Sequence, residues 1–199
     1  MRYSLIRTCK NGMSIHYLSE TKALAKLAAI CDQFAERIRS QYEHRAKSCA
    51  TCEAPGACCL DAHFVNVRIT RLEAVAIGRR LEELPVVKRD SVYSRIDEAI
   101  KKYGLDTCSD SDSRTFACPL FETGTGCLVH DYGKPLPCIA HACYERKEDL
   151  PPDELLTERE IEVDRLNRSV YGSTTLLPLP VAISKLTQSS AARRGSSLE

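Results

Sequence analysis

Eight of the eleven cysteines in this chain fall in two groups of four. Cys49, Cys52, Cys58 and Cys59 crowd into eleven residues, and Cys118, Cys127, Cys138 and Cys143 into twenty-six. Thiols packed this densely read as metal ligands ahead of disulfides or free thiols, and shared metal ions would dictate where the loops go. A thiolate is a soft, charged ligand suited to zinc or iron. The Cys49-x-x-Cys52 step lets two sulfurs turn back toward one ion, as in structural zinc sites and iron–sulfur proteins. Disulfides fit less well. The cysteine count is odd, and residues 1–10 are polar, without the apolar stretch and small-residue cleavage site of a secretory signal. A cytoplasmic location is therefore expected, where thiols stay reduced and dense cysteine patterns bind metal.

The adjacent pair Cys58-Cys59 adds information. Neighbouring side chains on an extended backbone point in opposite directions. One sulfur then serves one metal and its neighbour another, or a multi-iron cluster offers both a corner. Two four-thiolate zinc sites, a binuclear site and an iron–sulfur cluster with spare ligands all remain open on spacing alone. His130 lies three residues after Cys127, and His141 sits between Cys138 and Cys143. Each can ligate or donate to a bound sulfur from outside. Cys9, Cys31 and Cys108 read as ordinary thiols, and Asp61 and Asp131 as solvated carboxylates.

A length of 199 residues favours one domain, expected over residues 1–186 with its cysteine core at 48–144 and a disordered tail at 187–199. Aromatics are 6% and Trp is absent, so the core must be mostly aliphatic. The net charge of +1 gives no basic face for nucleic acid, and metal-bound thiolates would only lower it. No apolar run approaches the ~20 residues that span a bilayer.

Local signals predict a mainly α chain with a small β-hairpin and irregular cysteine-rich loops, a small α+β fold. The hairpin is expected over residues 3–18, around Asn11-Gly12. Ser19 caps a helix to about residue 46, with Leu24, Leu27, Ala28, Cys31, Phe34, Ala35, Ile38 and Tyr42 on one stripe. Residues 48–60 are broken by Pro55 and Gly56 and read as an irregular metal loop. A strand follows at 64–69, then the capping box Thr70-x-x-Glu73 opens a helix over 71–84. A second helix covers 86–103, with Tyr93, Ile96, Ala99, Ile100 and Tyr103 inward and Gly104 as its stop. Residues 106–114 read as a polar loop, and 118–138 as loops and short turns. A last acidic helix is expected over 153–168, and the apolar stretch 176–186 as an extended segment because of Pro178 and Pro180.

The motif Cys49-x-x-Cys52-x5-Cys58-Cys59, followed by Cys118-Pro-Leu, Gly126-Cys127 and Tyr132-x-Lys134-Pro135-x-x-Cys138, resembles the bacterial cysteine-cluster family of zinc- or iron-chelating domains (YkgJ-like). The resemblance covers residues 48–144, about half the chain. Lys134 stands where that family has an arginine, Tyr132 is one residue closer to it, and Ile139 replaces the arginine after the closing cysteine. The resemblance implies metal or iron–sulfur binding in a bacterial cytosol, with no fixed reaction; a similar cluster accompanies a flagellin lysine methylase.

Two functional classes follow. One is a protein holding iron, as an iron–sulfur cluster, for electron transfer or in support of a modification reaction on a protein partner. The alternative is a structural zinc domain, with one or two ions, that binds a partner protein. An enzyme with an open metal position has less behind it. The chain has no Gly-rich phosphate loop, no His-Glu-x-x-His helix and no nucleophile elbow.

Overall fold

The structure, a computed structural model, describes residues 18–47, 53–54, 56–60, 65–106 and 114–195, with 189–195 as backbone only. Except for Leu18, the expected hairpin lies outside these residues, as do Cys9, Cys49, Cys52, Asp61 and Cys108. The described chain is mainly helical with short antiparallel strand pairs. Its helices are α1 (Glu20–Gln41), α2 (Ala57–Leu60), α3 (Arg71–Glu82), α4 (Val86–Tyr103), α5 (Leu136–Ala140), α6 (Asp153–Tyr171) and α7 (Leu179–Gly195). Six two-residue strands form three pairs: β1 (Ala46–Lys47) with β5 (Cys143–Tyr144), β2 (Arg68–Ile69) with β6 (Leu177–Pro178), and β3 (Phe121–Glu122) with β4 (Gly126–Cys127).

Several boundaries follow from local chemistry. The Ser19 hydroxyl accepts from the Lys22 N–H at 3.4 Å and opens α1. Thr70 and Glu73 form the reciprocal capping box at α3, with the Thr70 N–H donating to Glu73 Oε2 at 2.8 Å. Gly104 takes the left-handed conformation at φ 59° and stops α4, which runs over the expected residues. Helix α1 ends earlier than its apolar stripe suggests. Tyr42 leaves helical geometry, a short 3-10 turn follows, and Ala46–Lys47 pair with β5. Strand pairing here overrides helix propensity.

Helix α3 stands between two apolar clusters. Ala74, Ile77 and Leu81 face Val92 and Ile96 of α4, Leu179 and Ile183 of α7, and Phe116, Leu120 and Val129. Leu72 and Ala76 face Leu24, Leu27, Phe34 and Ile38 of α1, with Leu136 and Val163. Asn167 of α6 is buried and ties the second cluster together. Its Oδ1 accepts from the Leu72 N–H at 3.1 Å, and its Nδ2 donates to Ser173 O and Thr174 Oγ1, each at 3.0 Å.

The structure corrects five expectations. Residues 179–186, expected as part of an extended segment, are helix, the first turns of α7. Leu179 opens α7 and Pro180 sits in its first turn, where no amide hydrogen is needed. The side chains of Leu179, Val181, Ala182 and Ile183 are then buried on several sides. Helix α6 is thus not the last, and it extends to Tyr171. Residues 57–60 form one helical turn within the expected irregular loop. The stretch 118–138 holds a hairpin and the start of the short helix α5, with Pro135 as its N-cap and Pro137 in its first turn. The strand expected over 64–69 is paired only at Arg68–Ile69, because its partner is cut short by Pro178 and the start of α7. Among the described residues, no helix is long and apolar enough to cross a membrane.

Candidate metal centre

The two cysteine groups meet through the backbone. Cys59 sits in the turn α2, whose Cys59 and Leu60 N–H groups donate to Gly56 O at 2.8 and 3.0 Å. Gly56 has φ 84°, and a Cβ there would overlap the Phe121 ring. The turn at Gly56 therefore packs directly against Phe121 of the β3–β4 hairpin, and only glycine permits it. Directly beside this contact, the Cys118 N–H donates to Cys59 O at 2.7 Å. Phe121 in turn is the register partner of Cys127. A second tie comes from β1–β5, where Lys47 pairs with Cys143. Lys47 precedes Cys49 by two positions, so the first group opens just beyond the partner of the last thiol.

The thiols respond to one another. Burial pushes the Cys59 thiol up to about 12, and Cys58, Cys118 and Cys127 push in the same direction. Cys118 is raised to about 11 by burial; the backbone N–H groups of Leu120 and Phe121 act against this, as does Arg95, while Cys127 adds to it. Burial also raises Cys127, opposed by the Val129 N–H and by Lys134 and assisted by Asp131. Cys138 in α5 is raised by burial, then by Cys118, Cys127 and Cys59, with Lys134 opposing. Cys59, Cys118, Cys127 and Cys138 thus form one electrostatic unit, with Cys58 hydrogen-bonded to Cys59. Four thiolates cannot persist together without a cation, and a metal supplies that charge while displacing the protons. Amide hydrogens aimed at sulfur favour the ionised form and tune bound iron. None of Cys31, Cys58, Cys59, Cys118, Cys127 and Cys138 is in a disulfide.

The donor chemistry fits a thiolate-bound metal, and the geometry is incomplete. Among the described residues, no three His, Cys, Asp or Glu side chains stand in an arrangement that would hold an ion. Cys49 and Cys52, two of the eight expected ligands, lie outside the described set.

Cys31 is apart from this unit. It lies on α1 against the second apolar cluster, and burial, Glu73 and Asp32 raise it to about 12. His130 and His141 border a cleft of about 370 Å³ between α1 and residues 130–142. The His130 N–H donates to Cys127 O at 3.2 Å. The His141 side chain is pushed down by desolvation and by Lys134. Lys134 lines the same cleft and acts on Cys127 and Cys138, so the cleft borders the sulfur centre. The turn at Gly133 rests on the α3 backbone at Ala76 and Ile77. Reading the sequence registered Lys134 only as a substitution, and it gave no signal for Arg95, an ordinary polar position of α4.

Comparison of the chain with protein-family models, with curated proteins and with solved structures finds no match in any of the three.

Proposed function

We propose that this chain is a metal-binding protein whose two cysteine groups jointly hold iron, as an iron–sulfur cluster. It serves electron transfer, or supports a modification reaction on a protein partner, in the reducing cytoplasm. One observation carries this reading. Cys59 and Cys118, from different groups, are joined by a 2.7 Å backbone hydrogen bond, and their thiols are coupled to Cys127 and Cys138. The amide hydrogens of Leu120, Phe121 and Val129 directed at Cys118 and Cys127 add support, since such bonds stabilise metal-bound thiolates. The resemblance to the cysteine-cluster family points the same way. Cys49, Cys52, Cys58 and Cys143 complete the proposed ligand set.

A second reading keeps the same sulfurs around zinc. The metal then fixes the loops at 56–60 and 118–143, and the domain acts by binding a partner protein. The connection of both groups to short two-residue strands favours it, because such pairs give the loops little stability of their own.

Anaerobic purification followed by metal, sulfide and visible-absorption analysis tests both. A brown protein containing iron and acid-labile sulfide supports the first. A colourless protein with stoichiometric zinc supports the second. A protein that carries neither metal and takes up neither overturns the proposal.

A further inference from the structure

Arg95 reaches from α4 to the turn that carries Cys118. Its Nε donates to Pro119 O at 3.1 Å, and its Nη1 to Ser91 Oγ at 3.4 Å. Its Nη2 is buried and meets no acceptor among the described residues. A charged donor stripped of water and left without a partner is strongly unfavourable, so this atom points to an acceptor that is stronger in the working protein. Two groups lie near the guanidinium. One is the Glu122 carboxyl, whose Oε2 is buried and lies 2.8 Å from Lys88 Nζ as an ion pair, with no further hydrogen-bond partner among the described residues. The other is Cys118, the residue directly before the Pro119 whose carbonyl Arg95 holds. A neutral thiol is a weak acceptor, whereas a metal-bound thiolate is a good one.

We propose that Arg95 is a positioning residue for the sulfur centre: through Pro119 it holds the turn that aims amide hydrogens at Cys118, and its Nη2 donates to the Cys118 sulfur once that sulfur binds metal. The proposal rests on the metal-centre reading above. The cation also offsets the negative charge that a multi-thiolate site builds up under α4. Arg95 touches no metal; it acts through Cys118 and the Pro119–Leu120 peptide, whose carbonyl oxygen accepts from its Nε.

The test uses cobalt(II) as the probe, titrated anaerobically into the full-length metal-free chain against a competing chelator. Wild type, Arg95→Lys, Arg95→Gln and Glu122→Gln are compared for affinity and for the energy of the sulfur-to-cobalt charge-transfer band. Loss of an outer hydrogen-bond partner typically weakens metal binding by roughly 10- to 100-fold. Arg95→Gln is expected to lose affinity in that range and to shift the band. Arg95→Lys, which keeps the charge without the fork, falls between, and Glu122→Gln matches wild type. A purely structural Arg95 would lower the melting temperature of the metal-free chain and leave the band unmoved, which overturns the proposal. Equal affinity and band energy in both Arg95 variants, or a change confined to Glu122→Gln, also overturns it while leaving the metal centre intact. Failure of wild type to bind cobalt through sulfur removes the metal-centre reading and this proposal with it.

Discussion

The Cys118 N–H donates to the Cys59 carbonyl oxygen at 2.7 Å, so the first cysteine loop and the second share a hydrogen bond at the sulfur centre. Helices α3 and α4 intervene in sequence, and their packing folds the chain back on itself. The two loops therefore stand or fall together. Cys59→Ser and Cys118→Ser are expected to lower metal content to a similar degree. Each should lose more than the roughly 10- to 100-fold in affinity that removal of an outer partner costs. Cys58→Ser should also reduce metal content. Cys31→Ser, on α1, should leave it unchanged and alter stability by no more than about 1 kcal/mol. Metal analysis of the four purified variants checks this.

Gly56 and Phe121 form a second link between the loops. Gly56→Ala forces a side chain into left-handed backbone and into the Phe121 ring. The expected loss is about 2 kcal/mol in stability, from backbone strain and displacement of the ring. It should be accompanied by weaker metal binding. In a Phe121→Ala background the same glycine change should cost less, because the ring is gone. A denaturation double-mutant cycle measures the difference.

Glu73 carries a pH dependence. Burial raises its carboxyl above the ordinary 4.5, Thr70 lowers it in part through the capping box, and Glu160 raises it. The folded state therefore holds this proton more tightly than the unfolded state. The stabilisation is fully present below pH 4.5 and is lost as pH rises through the folded-state value. Glu73→Gln keeps the capping acceptor and removes the ionisation. Its stability relative to wild type should increase from pH 4 to pH 7, as urea denaturation across that range would reveal. A constant difference would contradict the assignment.

Much of the helical frame was readable because its signals are local. The Ser19 cap, the Thr70–Glu73 box and the stop at Gly104 each involve residues within one turn of each other. The extended segment expected at 176–186 is helix from Leu179 onward, because Pro180 occupies the first turn of α7, where a proline costs no backbone hydrogen bond. At the candidate site, the residue types were legible and their environment was not. Reading the sequence singled out Cys59, Cys118, Cys127 and Cys138. Nothing in it places Phe121 over Gly56, Arg95 beneath Pro119 or Asn167 against Leu72. Those contacts join residues far apart in the chain, and no periodicity or spacing encodes them.

Asn167 illustrates the point. It is buried in α6 and serves the first turn of α3 and the chain after α6 at once. Asn167→Ala leaves the Leu72 N–H and the Ser173 carbonyl without this partner, at an expected cost of about 2 kcal/mol. Asn167→Leu, similar in volume, should be no better, because the loss is of hydrogen bonds and not of packing. Equilibrium denaturation of both variants decides it.

The central claim is that both cysteine groups supply sulfur to one metal centre. Metal-edge X-ray absorption of the anaerobically purified full-length chain tests it most directly, with Cys59→Ser and Cys118→Ser measured alongside. The account predicts iron with a first shell of sulfur in wild type, and a lower iron content or a lower sulfur coordination number in both variants. A shell of nitrogen and oxygen in wild type, or iron content and sulfur coordination unchanged by removal of either cysteine, would contradict it.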